Sequence, residues 1–72
     1  MRIMWKAITD ADVEQLINEY DLTKTELEIL QLRRKGTSPI AISMKINYQR
    51  SQMYAITAKL AKKIVQMQQK KL

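Results

Sequence analysis

A single glycine, Gly36, and a single proline, Pro39, are the only strong backbone breakers in a chain of 72 residues. A small β-barrel or sandwich needs turn residues and β-forming side chains in quantity, and this chain also lacks phenylalanine. Helices joined by short turns are therefore favoured. Cysteine and histidine are absent too, which excludes disulfides and the usual zinc sites. Packed aliphatic side chains or a partner subunit must stabilise the fold.

The charges are divided between the two halves of the chain. All seven acidic residues lie in the first 28 positions with only three basic ones, so that segment carries a net charge of −4. From Ile29 to Leu72 there are ten basic residues and no acidic one, which gives +10. One-sided charge attracts a polyanion, whereas lysines that serve only solubility are usually mixed with acids. We therefore expect the C-terminal half to bind a polyanion, and a merely solubilising surface is the alternative.

No segment is typical of secretion, membrane insertion or catalysis. The first apolar run, residues 3–5, is interrupted by Lys6, and no run approaches the roughly 18 apolar residues of a membrane span. We expect one cytoplasmic domain over residues 1–72 with no membrane partner. The chain has no glycine-rich phosphate loop and no paired carboxylates, so we expect no enzyme activity, no cofactor and no metal.

A capping residue at Thr9 or Asp10 predicts a first helix over residues 10–20. Its apolar positions recur at helical spacing: Val13, Leu16, Ile17 and Tyr20. Residues 1–9 carry a second apolar stripe, out of phase with the first, which fits an arm, an extra helix or a strand. We expect Trp5 to pack over the helix that starts near Asp10, and an exposed aromatic that docks another protein is the alternative.

Three further helices are predicted from their start and stop signals. Thr23 with a glutamate three residues later is a capping box, and it opens a helix over 24–35 that ends at Gly36. Ser38 followed by proline opens a short helix over 39–46. A tight turn then leads into a long helix over 50–69, whose apolar stripe comprises Met53, Ile56, Leu60, Ile64 and Met67. The predicted fold is an all-α, four-helix domain that contains a helix-turn-helix.

The segment from Leu22 to Ile64 resembles the DNA-binding domain of LuxR-type transcription regulators. The matching positions are Leu22-Thr23, Glu26, Glu28-Ile29-Leu30, Leu32, Gly36, Ser38, Ile42, Ile46, Met53, Leu60 and Lys63-Ile64. The same register is similar to region four of bacterial sigma factors, where the matching positions are Arg50, Ile56, Ala58-Lys59 and Lys63-Ile64. The resemblance is to a superfamily and implies a helix-turn-helix core over 22–64. In this register Ser43 faces the last helix, and we expect it to tolerate no large side chain.

The resemblance implies that the helix starting near Arg50 enters the major groove of DNA. Base readout is predicted for Arg50, Ser51, Tyr54 and Ala55. Phosphate contacts are predicted for Ser38, Gln52, Lys59 and Lys62, the first of them through backbone N–H groups at a helix N-terminus.

Two functions follow from these expectations. The first is a transcription regulator that binds double-stranded DNA, favoured by Arg50 and by the absence of acidic residues after position 28. The alternative is an adaptor or anti-sigma-like protein that uses the same fold to bind RNA polymerase or a sigma factor. The apolar segment 1–8 and the lack of the dimerisation helix of LuxR domains favour that alternative. A homodimer is left open.

Overall fold

The structure is a computed structural model that describes residues 3–70. These residues form four α-helices and one turn of 3-10 helix at Trp5–Ala7. The α-helices are Asp10–Glu19 (α1), Lys24–Arg34 (α2), Pro39–Ile46 (α3) and Arg50–Lys70 (α4). No strand occurs in this part of the chain. The predicted all-α, four-helix class is confirmed, and each helix begins at the predicted residue and ends within one residue of the predicted end.

Threonine capping boxes set the starts of α1 and α2. Thr23 Oγ1 accepts from the N–H of Glu26 at 3.1 Å, and Glu26 Oε1 accepts from the N–H of Thr23 at 3.0 Å. Thr9 and Asp12 form the same pair of hydrogen bonds at α1, also at 3.1 and 3.0 Å. Each box satisfies N–H groups that have no partner within the helix, and losing such a cap typically costs about 1 kcal/mol.

The end of α2 is a Schellman motif built around Gly36, whose φ is 90°. The N–H of Gly36 donates to the carbonyl of Arg33, and that of Thr37 donates to the carbonyl of Leu32, both at 3.0 Å. A left-handed residue is required at this position, and glycine adopts it without steric cost. The helix therefore stops where the sequence predicted.

All four helices contribute to one core. Its buried apolar side chains in the described chain are Ile8, Val13, Leu16, Ile29, Leu30, Ile42, Met53, Leu60, Ile64 and Met67. Full burial of one such side chain stabilises a fold by roughly 1.5–3 kcal/mol. Ile17, which was predicted to share the stripe of α1, is 42% exposed. The fully buried residues of α1 are Val13 and Leu16, and Tyr20 at its end packs against the core as well.

The segment before α1 packs on α2. Ile8 is buried, and its carbonyl accepts from Arg34 Nε at 3.0 Å. Trp5 is half-buried against the core, and the guanidinium carbon of Arg33 lies 4.9 Å from its ring centroid. Trp5 therefore packs as expected, but its neighbour is α2 and not the predicted α1. Met1 of the predicted arm lies outside the described residues.

A buried ion pair connects α2 to α4. Glu26 is only 3% exposed, and its Oε1 accepts from Lys63 Nζ at 2.8 Å. Lys63 also donates to the carbonyl of Asp21 at 3.1 Å, while Glu26 Oε2 is buried with no hydrogen-bond partner in the described chain. Burial raises the pKa of Glu26, but hydrogen bonds from Lys63 and Thr23 outweigh it, so the pKa lies below its usual value.

Candidate nucleic-acid interface

A three-residue turn fixes the start of α4 relative to α3. Asn47 has φ 61° and ψ 38°, a left-handed conformation that asparagine tolerates better than most residues. Its N–H donates to the carbonyl of Ser43 at 3.0 Å, which closes α3. The carbonyl of Gln49 then accepts from the N–H of Met53 at 3.0 Å, and α4 begins.

The face of α4 that points away from the core is exposed along its N-terminal half. Its residues are Arg50, Ser51, Tyr54, Ala55, Ala58, Lys59 and Lys62. The four predicted base-reading residues lie in the first two turns, and Tyr54 is 63% exposed. The helical period explains this arrangement, because the buried Met53 and Leu60 occupy the opposite side. The structure thus brings the four residues onto one accessible face, with Lys59 and Lys62 continuing it.

Gln52 is exposed as well, but part of its side chain is already engaged. Its Oε1 accepts from the backbone N–H of Gln49 at 3.4 Å, a long contact at the start of α4. The side-chain NH₂ group remains, and that group is the donor a phosphate needs. The predicted phosphate contact by Gln52 is therefore compatible with its role at the helix start.

The N-terminus of α3 offers less to a phosphate than the sequence suggested. Ser38 Oγ accepts from the N–H of Ala41 at 3.3 Å, so that donor is taken. Pro39 has no N–H, which leaves the N–H groups of Ser38 and Ile40 as donors at this helix start. The predicted clamp near Ser38 is thus reduced to two backbone groups, beside an isoleucine side chain that is 61% exposed.

The basic residues of the C-terminal half fall into two groups. Four have partners within the chain: Arg33 on the ring of Trp5, Arg34 on Asp10, Lys63 on Glu26 and Lys70 on the ring of Tyr20. Five others in the described part of this half have no such partner: Lys35, Lys45, Arg50, Lys59 and Lys62. Lys71 lies outside the described residues. The five unpaired cations are the ones available to a polyanion.

An apolar groove next to Arg50 was not predicted. The end of α2, α3 and the first turns of α4 enclose about 90 Å³. Ser43 is half-buried at its wall, and its Oγ donates to the carbonyl of Ile40 at 2.7 Å. Because open space borders Ser43, the expectation that no larger side chain fits there is not supported.

A signal for this groove was present in the sequence of α3. Six of its eight residues are apolar, yet the periodicity assigned only Ile42 and Ile46 to the core. Of the four left over, the two largest are highly exposed, Ile40 at 61% and Met44 at 78%. A short helix with more apolar residues than its buried face can hold indicates an apolar surface.

Neither a metal centre nor a membrane span is found in the part of the chain that the structure describes. Within residues 3–70 no three acidic side chains are close enough to hold a metal ion. No helix in that range is long and apolar enough to cross a bilayer. When the chain is compared with protein families, curated proteins and solved structures, none of them matches it. The resemblance to LuxR and sigma region-four domains therefore stays a prediction, and function has to be argued from the site.

Proposed function

We propose that the chain binds double-stranded DNA with the exposed face of α4 in the major groove, as a transcription regulator. The observation that supports this most is the exposed N-terminal half of α4. It combines a free arginine, two free lysines and small or polar side chains on one face, and every acidic residue lies in the other half of the chain. An α-helix fits the major groove, which is about 12 Å wide.

Each side chain has a distinct role in this proposal. Arg50 pairs with a guanine edge, since its guanidinium can donate two parallel hydrogen bonds. Ser51 and Tyr54 supply hydroxyl groups to neighbouring bases, and Ala55 contacts a thymine methyl. Lys59, one turn beyond Ala55, reaches the phosphate backbone, which adds affinity without sequence preference.

The salt dependence of binding tests this proposal directly. The five unpaired cations predict about five phosphate or base contacts, so the logarithm of affinity for a random duplex should fall with the logarithm of salt at a slope of roughly −4 to −5. Electrophoretic mobility shifts at several salt concentrations measure that slope. Absence of salt-dependent binding at low ionic strength would refute DNA binding.

Single substitutions separate base readout from phosphate contacts. Lys59→Ala should weaken binding to all sequences alike and flatten the slope by about one unit. Arg50→Ala should cost roughly 1–3 kcal/mol on a preferred site, obtained by selection from random duplexes, and much less on random DNA. Lys70→Ala is the matched control, since Lys70 lies over Tyr20 and should affect neither assay. Equal losses for Arg50→Ala on every sequence would make Arg50 a backbone contact.

A protein adaptor is the second candidate, because Ile40 and Met44 expose apolar surface that phosphates do not need. In that case α3 and the groove beside it would contact RNA polymerase or a sigma factor. Loss of partner binding in Met44→Ser, combined with no affinity for DNA at low salt, would favour this function over the first.

A further inference from the structure

The groove enclosed by α2, α3 and α4 is an apolar site with a positive rim. Ile42 and Met53 line it and are only 1% and 6% exposed. Arg33 and Arg50 line it as well, whereas no acidic residue does. The Nε of Arg33 is buried and donates no hydrogen bond within the described chain, so part of its donor capacity is unused. The chemistry of the groove therefore suits an apolar group flanked by carboxylates.

The size of the groove decides what kind of occupant fits. Its 90 Å³ is well below the roughly 300–1,000 Å³ of sites that hold drug-sized ligands. It is also somewhat smaller than a cavity of about 150 Å³ that holds benzene. One aliphatic side chain fits, and the rest of its carrier must lie outside. A side chain presented by a protein surface meets this requirement better than a free metabolite does.

The exposed edge of α1 presents such a side chain. Ile17 is 42% exposed, although it belongs to a helix of the core. Glu14 is three residues before it and Asp21 four residues after it, and both are exposed. Glu14 lies one turn before Ile17 on the helix, whereas Asp21 follows the end of α1 and has a left-handed backbone with φ 51°.

We infer that two copies of the chain associate, with the exposed edge of α1 on one copy docked on the groove of the other. Ile17 enters the groove, and Glu14 faces Arg50, which has no partner within the described chain. The division of charge in the sequence makes the two surfaces complementary, because acidic residues occur only before position 29. This inference does not rest on DNA binding.

The association is weak and sensitive to salt. One aliphatic anchor with a rim ion pair buries less than the roughly 1,000 Å² typical of stable complexes, so the contact is transient. Glu14 and Arg50 are both exposed, so their interaction is screened as the Debye length falls from about 10 Å at 0.1 M salt to about 3 Å at 1 M. The complex should form at high protein concentration and low salt.

Sedimentation equilibrium of the full chain without nucleic acid measures this association. At low salt the average mass should rise above the 8.5 kDa of the monomer as the concentration approaches about 1 mM, and 1 M salt should restore 8.5 kDa. A chain that stays monomeric at about 1 mM in low salt would overturn the inference, and the DNA-binding proposal would be unaffected.

Charge reversal identifies the two surfaces. Glu14→Arg and Arg50→Glu should each abolish self-association, because each places like charges across the contact. An equimolar mixture of the two variants should associate again, since the reversed charges of one variant now face those of the other. Glu28→Arg, an equal charge change at an exposed position of α2, should associate as the parent does. A mixture that stays monomeric, or a control that also loses association, would refute the docking.

Replacement of the anchor gives an independent readout. Ile17→Ser should weaken association about tenfold, because the buried aliphatic group is lost while the charges remain. Its salt dependence should match that of the parent. An affinity equal to that of the parent would show that Ile17 does not enter the groove. Far-ultraviolet circular dichroism of each variant checks that the helices are intact.

Discussion

Lys63→Met should destabilise the protein, and the loss should shrink as the pH falls. The substitution keeps an unbranched apolar stem but removes the ammonium group that lies 2.8 Å from Glu26 Oε1. Glu26 then keeps the hydrogen bonds from Thr23 but has no opposite charge in a site where it is 3% exposed. The variant therefore tests whether the buried ion pair contributes to stability.

The magnitude follows from the burial of the two partners. Breaking a fully buried pair by removing one partner costs about 3–5 kcal/mol. The Lys63 side chain is 25% exposed, so water screens part of its interaction with Glu26. The N–H of Thr23 still donates a hydrogen bond to the Glu26 carboxylate in the variant. We therefore expect a loss of about 2 kcal/mol at pH 7, which lowers the melting temperature of a domain this small by about 8–16 °C.

The pH dependence follows from the pKa of Glu26. In the parent this pKa is lowered, so the carboxylate contributes stability above the unfolded-state pKa, and that stability is lost as the pH falls through the folded-state pKa. Without Lys63, burial is opposed only by Thr23, and the folded-state pKa of Glu26 rises relative to the parent. Glu26 of the variant is therefore protonated at a higher pH than Glu26 of the parent. The difference in stability between parent and variant should decrease from pH 7 to pH 4.

Urea unfolding followed by circular dichroism at pH 7 and pH 4 measures this difference. Lys62→Met, at the neighbouring exposed position, is the matched control and should change stability by less than about 0.5 kcal/mol at either pH. Glu26→Gln added to Lys63→Met should recover part of the loss, because no charge is then buried. A loss that is equal at both pH values, or a double variant no more stable than Lys63→Met, would refute the reasoning.

Three other substitutions test the turns and the N-terminal packing. Asn47→Ala should cost about 1 kcal/mol in a thermal melt, because φ is 61°, and Asn47→Gly should cost less; equal losses would contradict a role for the left-handed backbone. Gly36→Ala should cost about 1–2 kcal/mol of stability, because φ is 90° at this position. The new Cβ would lie 3.3 Å from the flexible Lys6 side chain. Adding Lys6→Ala to Gly36→Ala should nevertheless not recover the lost stability. Trp5→Ala should lower the free energy of unfolding by about 2 kcal/mol in urea, because packing and the contact with Arg33 are lost. A change below about 0.5 kcal/mol would show that the 3-10 turn does not contribute to stability.

The helices could be predicted because their signals are local in the chain. Thr23 and Glu26 lie three residues apart, and Gly36 acts through its own backbone, so neither depends on tertiary contacts. The exposed face of α4 follows from the helical period once the apolar stripe is known. For the same reason the clustering of Arg50 and Tyr54 on one face needed no knowledge of the other helices.

The remaining features depend on distances between helices. Glu26 and Lys63 are 37 residues apart, and nothing in the local pattern of either predicts that they meet. The groove exists because α3 and α4 leave a gap beside Ser43 that the side chains do not fill. The capping box at Asp12 lies between the predictable and the unpredictable features. Its hydrogen bonds are local in the chain, but it uses an aspartate where glutamate or glutamine is usual.

The position of Trp5 has a practical consequence for experiments. It is the only tryptophan of the chain, so its indole emission comes from one place in the molecule. The guanidinium of Arg33 stacks on the Trp5 ring, and Arg33 also lines the groove. A group that enters the groove therefore changes the surroundings of Arg33, which is in contact with the indole. Intrinsic fluorescence can therefore report both unfolding of the N-terminal turn and occupancy of the groove, without an attached dye.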